Sequence, residues 1–296
     1  MKSRKAFSLV EISIVIVIIG ILIAGISKGM DLYADFKLTT ARKLTLNSQV
    51  ARIPDLALWL ETTSEKSLQN ASDSFSLSDG QNIKNWNDIT PTNTQKFVAT
   101  QATSSLQPFY KKDGIGGLPS VFFDANTTGT SGNGLSIPYS PHLNTPIFTI
   151  FIVTQPMEMT SGASAWGTII MSRYTSSTAT GYFLYKNRDQ YYDFLTGDGT
   201  NWHGINNTPV TFKKPIIATL KQEASTKKFY INSSLKGSSS LAMVTNRFNP
   251  LAIGYEYSPL LFYDGYTSEI IYYGRDLKDN ERLAVENYLS QKYRIK

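Results

Sequence analysis

The 296-residue sequence contains no cysteine and only two histidines, His142 and His203. The first absence excludes a disulfide framework and any thiolate metal site. The second leaves a three-ligand zinc centre dependent on carboxylates. No P-loop, nucleophile elbow or Glu-x-Asp-x-Glu run occurs. The chain therefore lacks the usual phosphate cradle, the activated serine and the strand-borne acids that flank a glycosidic bond. Charged residues make up only 18% against 41% hydrophobic, a balance that suits a folded domain and argues against wholesale disorder.

Excess charge is also scarcer than it looks. The formal net charge is +6, but Lys2, Arg4 and Lys5 crowd the extreme N-terminus. A chain without them keeps half the excess, which weakens any argument for a nucleic-acid partner. The doublets Lys111-Lys112, Lys213-Lys214 and Lys227-Lys228 read as solvated lysines guarding strand ends. The rival reading is a phosphate track, for which binding would fall steeply with salt.

What is present is a long apolar run. Phe7 to Ser27 reads FSLVEISIVIVIIGILIAGIS, with Glu11 its single charge. About 20 apolar residues span a bilayer as a helix, and the basic cluster before them keeps the N-terminus cytoplasmic. A removable secretory signal fits poorly, because the run is long and no small-residue cleavage site follows it. A plain anchor is the simpler alternative, and Glu11 counts against it. A carboxylate one turn inside lipid either snorkels to the interface or has a function.

Lys5-Ala6-Phe7-Ser8-Leu9-Val10-Glu11 and the stretch after it resemble the leader and methylation motif of type IV pilins and type II secretion pseudopilins. The resemblance implies a prepilin peptidase that cuts between Ala6 and Phe7, methylation of Phe7, and Glu11 as the fifth mature residue. It also implies that Glu11 pairs with the new amine of a neighbouring subunit in a filament. Ala6 stands where the family usually has glycine, and the proline common late in the major-pilin helix is absent.

The helix is expected to continue to about residue 52, before Pro54. Tyr33, Phe36, Thr40, Leu44 and Asn47 recur at helical spacing, a stripe that suits either neighbouring subunits or the protein's own head. Gly25 and Gly29 form a short small-xxx-small pattern.

Beyond Ile53, short β-rich runs alternate with Gly, Pro, Asn and Ser turns, as at Leu56–Leu60, Phe148–Thr154, Thr168–Ser172, Ile216–Leu220 and Glu269–Tyr273. Such spacing predicts a mainly β sandwich or barrel. Asp279 is expected to cap a closing helix in which Ala284, Val285, Tyr288, Leu289 and Tyr293 line one face. The ending from Tyr266 to Tyr293 resembles the close of concanavalin A-like (laminin G-like) domains. The opening landmarks Leu56–Leu60, Trp86-Asn-Asp88, Ala99–Ala102, Gln107-Pro108 and Pro119–Asp124 fit as well. The resulting division is leader 1–6, transmembrane and filament helix 7–52, and a jelly-roll head 53–296.

Within the head, Trp166 and Trp202 lie in Gly/Ser/Asn-rich segments expected to be loops. There, with Tyr191, Tyr192 and His203, an aromatic could stack on a sugar ring or close over the local core. Asp189 and Asp193 have a spacing that catalytic acids could use, in a stretch expected to be a solvated hairpin. Asp198, in Thr196-Gly-Asp-Gly-Thr200, reads as a tight turn or a calcium ligand. The sequence points to a non-enzymatic, inner-membrane pilin-like subunit with a head for glycans or cell-surface ligands. The alternatives are a secretion pseudopilin, a membrane-tethered carbohydrate-active enzyme and a DNA-binding pilin.

Overall fold

The computed structural model describes residues 8–91, 96–125, 131–157, 167–173, 178–187, 191–257 and 260–296. The apolar run forms the start of a long helix, α1 (Leu9–Asn47). A reciprocal cap fixes its first turn. The Glu11 N–H donates to Ser8 Oγ (3.2 Å) and the Ser8 N–H donates to Glu11 Oε2 (2.8 Å), filling two donors that a helix start leaves open. Every residue from Leu9 to Tyr33 is exposed. An apolar helix bare on all sides needs lipid or other helices around it, and this one is long and apolar enough to cross a membrane.

The helix stops at Asn47, short of the expected residue 52, and a single 3-10 turn (Val50–Arg52) leads into the head. The apolar stripe divides. Tyr33 and Phe36 are exposed and Leu44 is half-buried, while Ala41 and Thr45 pack into the head. The last turns of α1 therefore belong to the head's packing.

The head is a two-sheet antiparallel sandwich. Its back sheet runs Ser234–Ser240, Thr226–Ile231, Ile216–Gln222, Phe148–Pro156, Gly265–Tyr273, Ser120–Phe123, Phe109–Lys111. Leu56–Glu61 pairs with the second half of Gly265–Tyr273, end to end with Ser120–Phe123 on the same edge. The front sheet runs Trp202–Pro209, Tyr191–Gly197, Gly181–Lys186, Gly167–Arg173, Leu251–Ile253, Leu135–Ile137, Val98–Thr100, Asn85–Asn87, Leu68–Gln69. A hairpin, Tyr255–Tyr257 with Leu260–Phe262, follows Gly254. Gly254 has φ +83°, and a Cβ there would run into the Phe123 ring, so the turn needs glycine.

Trp86, Phe148, Tyr182, Phe194, Phe229 and Tyr272 fill the space between the sheets. Burying each large apolar side chain contributes about 1.5–3 kcal/mol. The back sheet is covered on its other side too. There Trp59, Phe151, Ile271 and Tyr273 meet the closing helix α2 (Asp279–Tyr293) through Val285, Tyr288, Leu289 and Tyr293. A strand buried on both faces reads as a continuous apolar run, as Phe148–Pro156 does. The start of α2 differs from expectation. Asp279 is its first helical residue, and the Lys278 N–H donates to Glu281 Oε2 (2.9 Å) at the cap.

The joint between α1, the back sheet and α2 is polar and dry. Lys292 Nζ lies 2.8 Å from Thr45 Oγ1, Glu61 Oε2 and Glu269 Oε2, and the side chains of all three charged residues are 0% exposed. Thr45 Oγ1 also meets the Tyr288 hydroxyl at 3.0 Å.

Candidate functional site

Sheet parity decides which head residues can meet a ligand. Tyr182 and Leu184 point into the core, so Phe183 and Tyr185 occupy the outer face of the front sheet. Met171 and Ala252 join them, with Leu195, Trp202 and Tyr255 packed against the group. Trp202 meets Phe183 edge-on at 4.9 Å, and Phe183 stacks on Tyr185 at 5.4 Å. The Arg173 guanidinium lies 5.6 Å from the Phe183 ring centre and 5.7 Å from that of Trp202, within cation–π range. Arg173 also pairs with Glu256 of the hairpin, which receives the Thr168 hydroxyl at 3.2 Å. Burial pushes the Glu256 carboxyl up, with Arg173 and Thr168 opposing.

Farther along the same sheet, Trp86 and Ala99 enter the core, which turns Asn85, Val98 and Thr100 outward. With Lys96, Tyr139 and Ser140 they line an open cleft of about 430 Å³. Thr100 Oγ1 donates to Asn85 Oδ1 (2.8 Å), and Asn85 Nδ2 donates to Gln69 Oε1 (3.1 Å). The cleft thus combines a half-exposed aromatic ring, one ammonium and oriented amide and hydroxyl groups.

The residues expected at a ligand site separate. Trp202 begins a strand instead of sitting in a loop, half-buried against Phe183. Tyr191 is half-buried at a strand start. Tyr192 is 1% exposed and belongs to the core between the sheets, so its ring cannot stack on a ligand from solution. Trp166 lies outside the described residues, as do Asp189, Ala6 and Phe7.

Asp193 is buried instead of solvated. It accepts from Asn187 Nδ2 (3.0 Å) and from the Asn207 N–H (2.6 Å). Asp198 Oδ1 accepts from the Thr200 and Asn201 N–H groups (2.8 and 2.7 Å), and Oδ2 faces His203 Nε2 at 2.8 Å. Those backbone donors, then His203, hold its carboxyl down to about 2. Both oxygens thus serve the turn, and no group of three metal-ligating side chains occurs among the described residues. The lysine doublets differ too, since Lys227 is 0% exposed while Lys213 and Lys214 are exposed. The Tyr139 cleft has almost no trace in the sequence. The only signal is parity around Trp86 and Ala99.

The family profile for the prokaryotic N-terminal methylation motif matches residues 1–27. This is a pilin-like N-terminus. The motif implies processing by a prepilin peptidase, and with the bare helix behind it marks a membrane-anchored chain. Comparison with curated proteins found no match. Among solved structures, the binding domain of botulinum neurotoxin serotype D is similar at 13% identity and a TM-score of 0.52, covering 82% of this chain and 53% of that one. Trypanosoma rangeli sialidase in complex with the inhibitor DANA is similar at 12% identity and a TM-score of 0.50, covering 81% of this chain and 33% of that one. The chain thus spans about half and about a third of these proteins. At such identities the likeness is one of fold, a concanavalin A-like sandwich.

Proposed function

We propose that this chain is a minor subunit of a type IV pilus or related filament, carrying a lectin-like head that binds glycans on a cell surface. In this reading the chain enters the inner membrane with its head outside. It is cut after Ala6 and methylated at Phe7, then joins the filament as Glu11 exchanges its own Ser8 cap for a neighbour's terminal amine. Removing one partner of such a buried pair costs roughly 3–5 kcal/mol, so Glu11 sets the register of entry.

The observation that carries the head's role is the open cleft of about 430 Å³ on the front sheet, with Tyr139, Lys96, Asn85 and Thr100 at its walls. Sugars are held by an aromatic face and a few placed polar groups. The similar structures are a toxin's binding domain and a sialidase with an inhibitor, which supports a binding reading of this fold. We favour binding over hydrolysis because the Asp193 carboxylate is committed to Asn187 and Asn207.

A glycan array probed with the detergent-solubilised full chain tests this. Tyr139→Ala should lower retention on the array at least tenfold while the circular dichroism stays unchanged. Trp202→Ala should weaken it less, because Trp202 is half-buried. Equal retention by wild type and Tyr139→Ala would remove the cleft from the account. Retention on no glycan would remove the lectin-like role.

A further inference from the structure

The joint between the back sheet and α2 holds an amine, two carboxyl groups and a set of aimed donors in one pocket closed to solvent. Lys292 Nζ lies 2.8 Å from Glu269 Oε2 on one side and 2.8 Å from Glu61 Oε2 on the other. Trp59 Nε1 and the Tyr288 hydroxyl both donate to Glu269 Oε1, at 2.7 and 2.9 Å. The Tyr293 hydroxyl reaches Glu269 Oε2 at 2.9 Å. Glu61 is fixed separately, by the Thr63 N–H and hydroxyl on Oε2 and by the Ser64 N–H on Oε1.

We propose that Lys292 and Glu269 condense spontaneously to a side-chain amide, joining α2 covalently to the strand Gly265–Tyr273, with Glu61 carrying the protons. The two carboxyl groups are already differentiated. Burial pushes the Glu269 carboxyl up, and the neighbouring Glu61 charge adds to that against the pull of Lys292, so of the two carboxyl groups Glu269 takes a proton more readily and is the better electrophile. Burial also works against the Glu61 charge, but Lys292 and the Ser64 and Thr63 donors outweigh it and keep Glu61 ionised. Lys292 rests as the ammonium, since its interactions with Glu269 and Glu61 overcome the cost of its burial. It becomes a nucleophile by handing one proton to Glu61, a transfer that replaces two buried charges with two neutral groups.

The amine then attacks Cδ of the protonated form of the Glu269 carboxyl. The electron pair driven onto Oε1 meets the Trp59 N–H and the Tyr288 hydroxyl, two donors placed as an oxyanion site requires. Collapse expels Oε2 as water. One proton stays on the amide nitrogen, two leave in the water, and the last rests on Glu61, so atoms and charge balance with no oxidant or co-reactant. Holding amine and carboxyl in contact replaces a bimolecular encounter, the effect that makes well-oriented intramolecular reactions fast. A dry pocket also favours loss of water over its return. In a chain without cysteine, this is a covalent tie that the side chains present can make.

Tryptic mapping of the denatured full chain, taken from membranes in detergent, decides the matter. The expected product is a branched peptide of residues 248–275 joined to 283–294, one water lighter than its two parts, with Lys292 uncut. Glu61→Gln preserves shape but cannot accept the proton, and should return the linear peptides 248–275 and 283–292 while keeping the circular dichroism of the wild type. Recovery of only linear peptides from the wild type overturns the proposal. So does a branch joining 283–294 to 53–66, which would make Glu61 the acceptor. If Glu61→Gln is fully branched, its role as proton carrier is wrong.

Discussion

Lys292 and Lys227 are both enclosed by the head, and the fold treats them in opposite ways. Lys292 sits on the helix side of the back sheet between two carboxylates, three hydroxyls and a tryptophan N–H close at hand. Lys227 points into the space between the sheets. There its ammonium finds Thr196 Oγ1 at 3.2 Å, the His203 carbonyl and the face of Phe194 at 5.5 Å. No carboxylate pairs with it among the described residues. Burial alone pulls Lys227 down to about 8, whereas Lys292 is held above its ordinary value once its two partners offset the cost of burial. The lesson is that enclosure by itself does not say whether a charge supports a fold. Its partners do.

The contrast can be broken from either side. Lys292→Met should be the most damaging change, because it strands Glu61 and Glu269 together in a dry site. Removing one member of a buried ionic group costs about 3–5 kcal/mol, which thermal unfolding of the solubilised chain should register as a large fall in Tm. Lys227→Met should act in the opposite sense. The unfolded chain keeps this proton up to about 10.5 while the folded chain releases it near 8. The cost is therefore fully present below pH 8 and is relieved as the pH rises from 8 to 10.5. Removing the amine should raise stability at neutral pH by at most about 3 kcal/mol, less what the Thr196 and His203 acceptors lose, and the variant's advantage should shrink across that window. A constant difference from pH 7 to 11 would refute this account of Lys227.

A surface pair calibrates both. Arg42 meets Glu65 at 2.9 Å, with 34% and 78% of the two side chains exposed. Glu65→Gln should change stability by less than about 1 kcal/mol, and salt should erase the difference.

Much of this is legible in the residues, for physical reasons that also explain the gaps. The charge-poor run around Glu11 and the continuous apolar strands such as Phe148–Pro156 announce themselves, because lipid and two-sided burial both demand unbroken hydrophobicity. Strands with one polar face leave a weaker trace. Tyr191–Gly197 and Trp202–Pro209 form a hairpin around the Asp198 turn, yet Asn206, Asn207 and Pro209 give Trp202–Pro209 the composition of a loop. Ser234–Ser240 is an exposed edge with hardly an apolar residue.

Lys227 reads as solvated because it adjoins Lys228. The alternation nonetheless holds the answer, since Phe229 and Ile231 belong to the core and a period of two sends Lys227 the same way. The Lys292 cluster could not be foreseen. Its members come from three distant stretches, and only the closed sandwich brings Glu61 beside the C-terminal helix.

The seating of Ala41 and Thr45 against the final helix has a mechanical consequence. In the proposed filament, a pull through α1 would reach the head where the chain's first and last helices touch. The backbone would carry it into Leu56–Glu61, which pairs with Gly265–Tyr273, and the contacts of Lys292 with Thr45 and Glu269 tie α1 to that second strand as well. The proposed adhesive head would thus be joined to its tether at two strands instead of one.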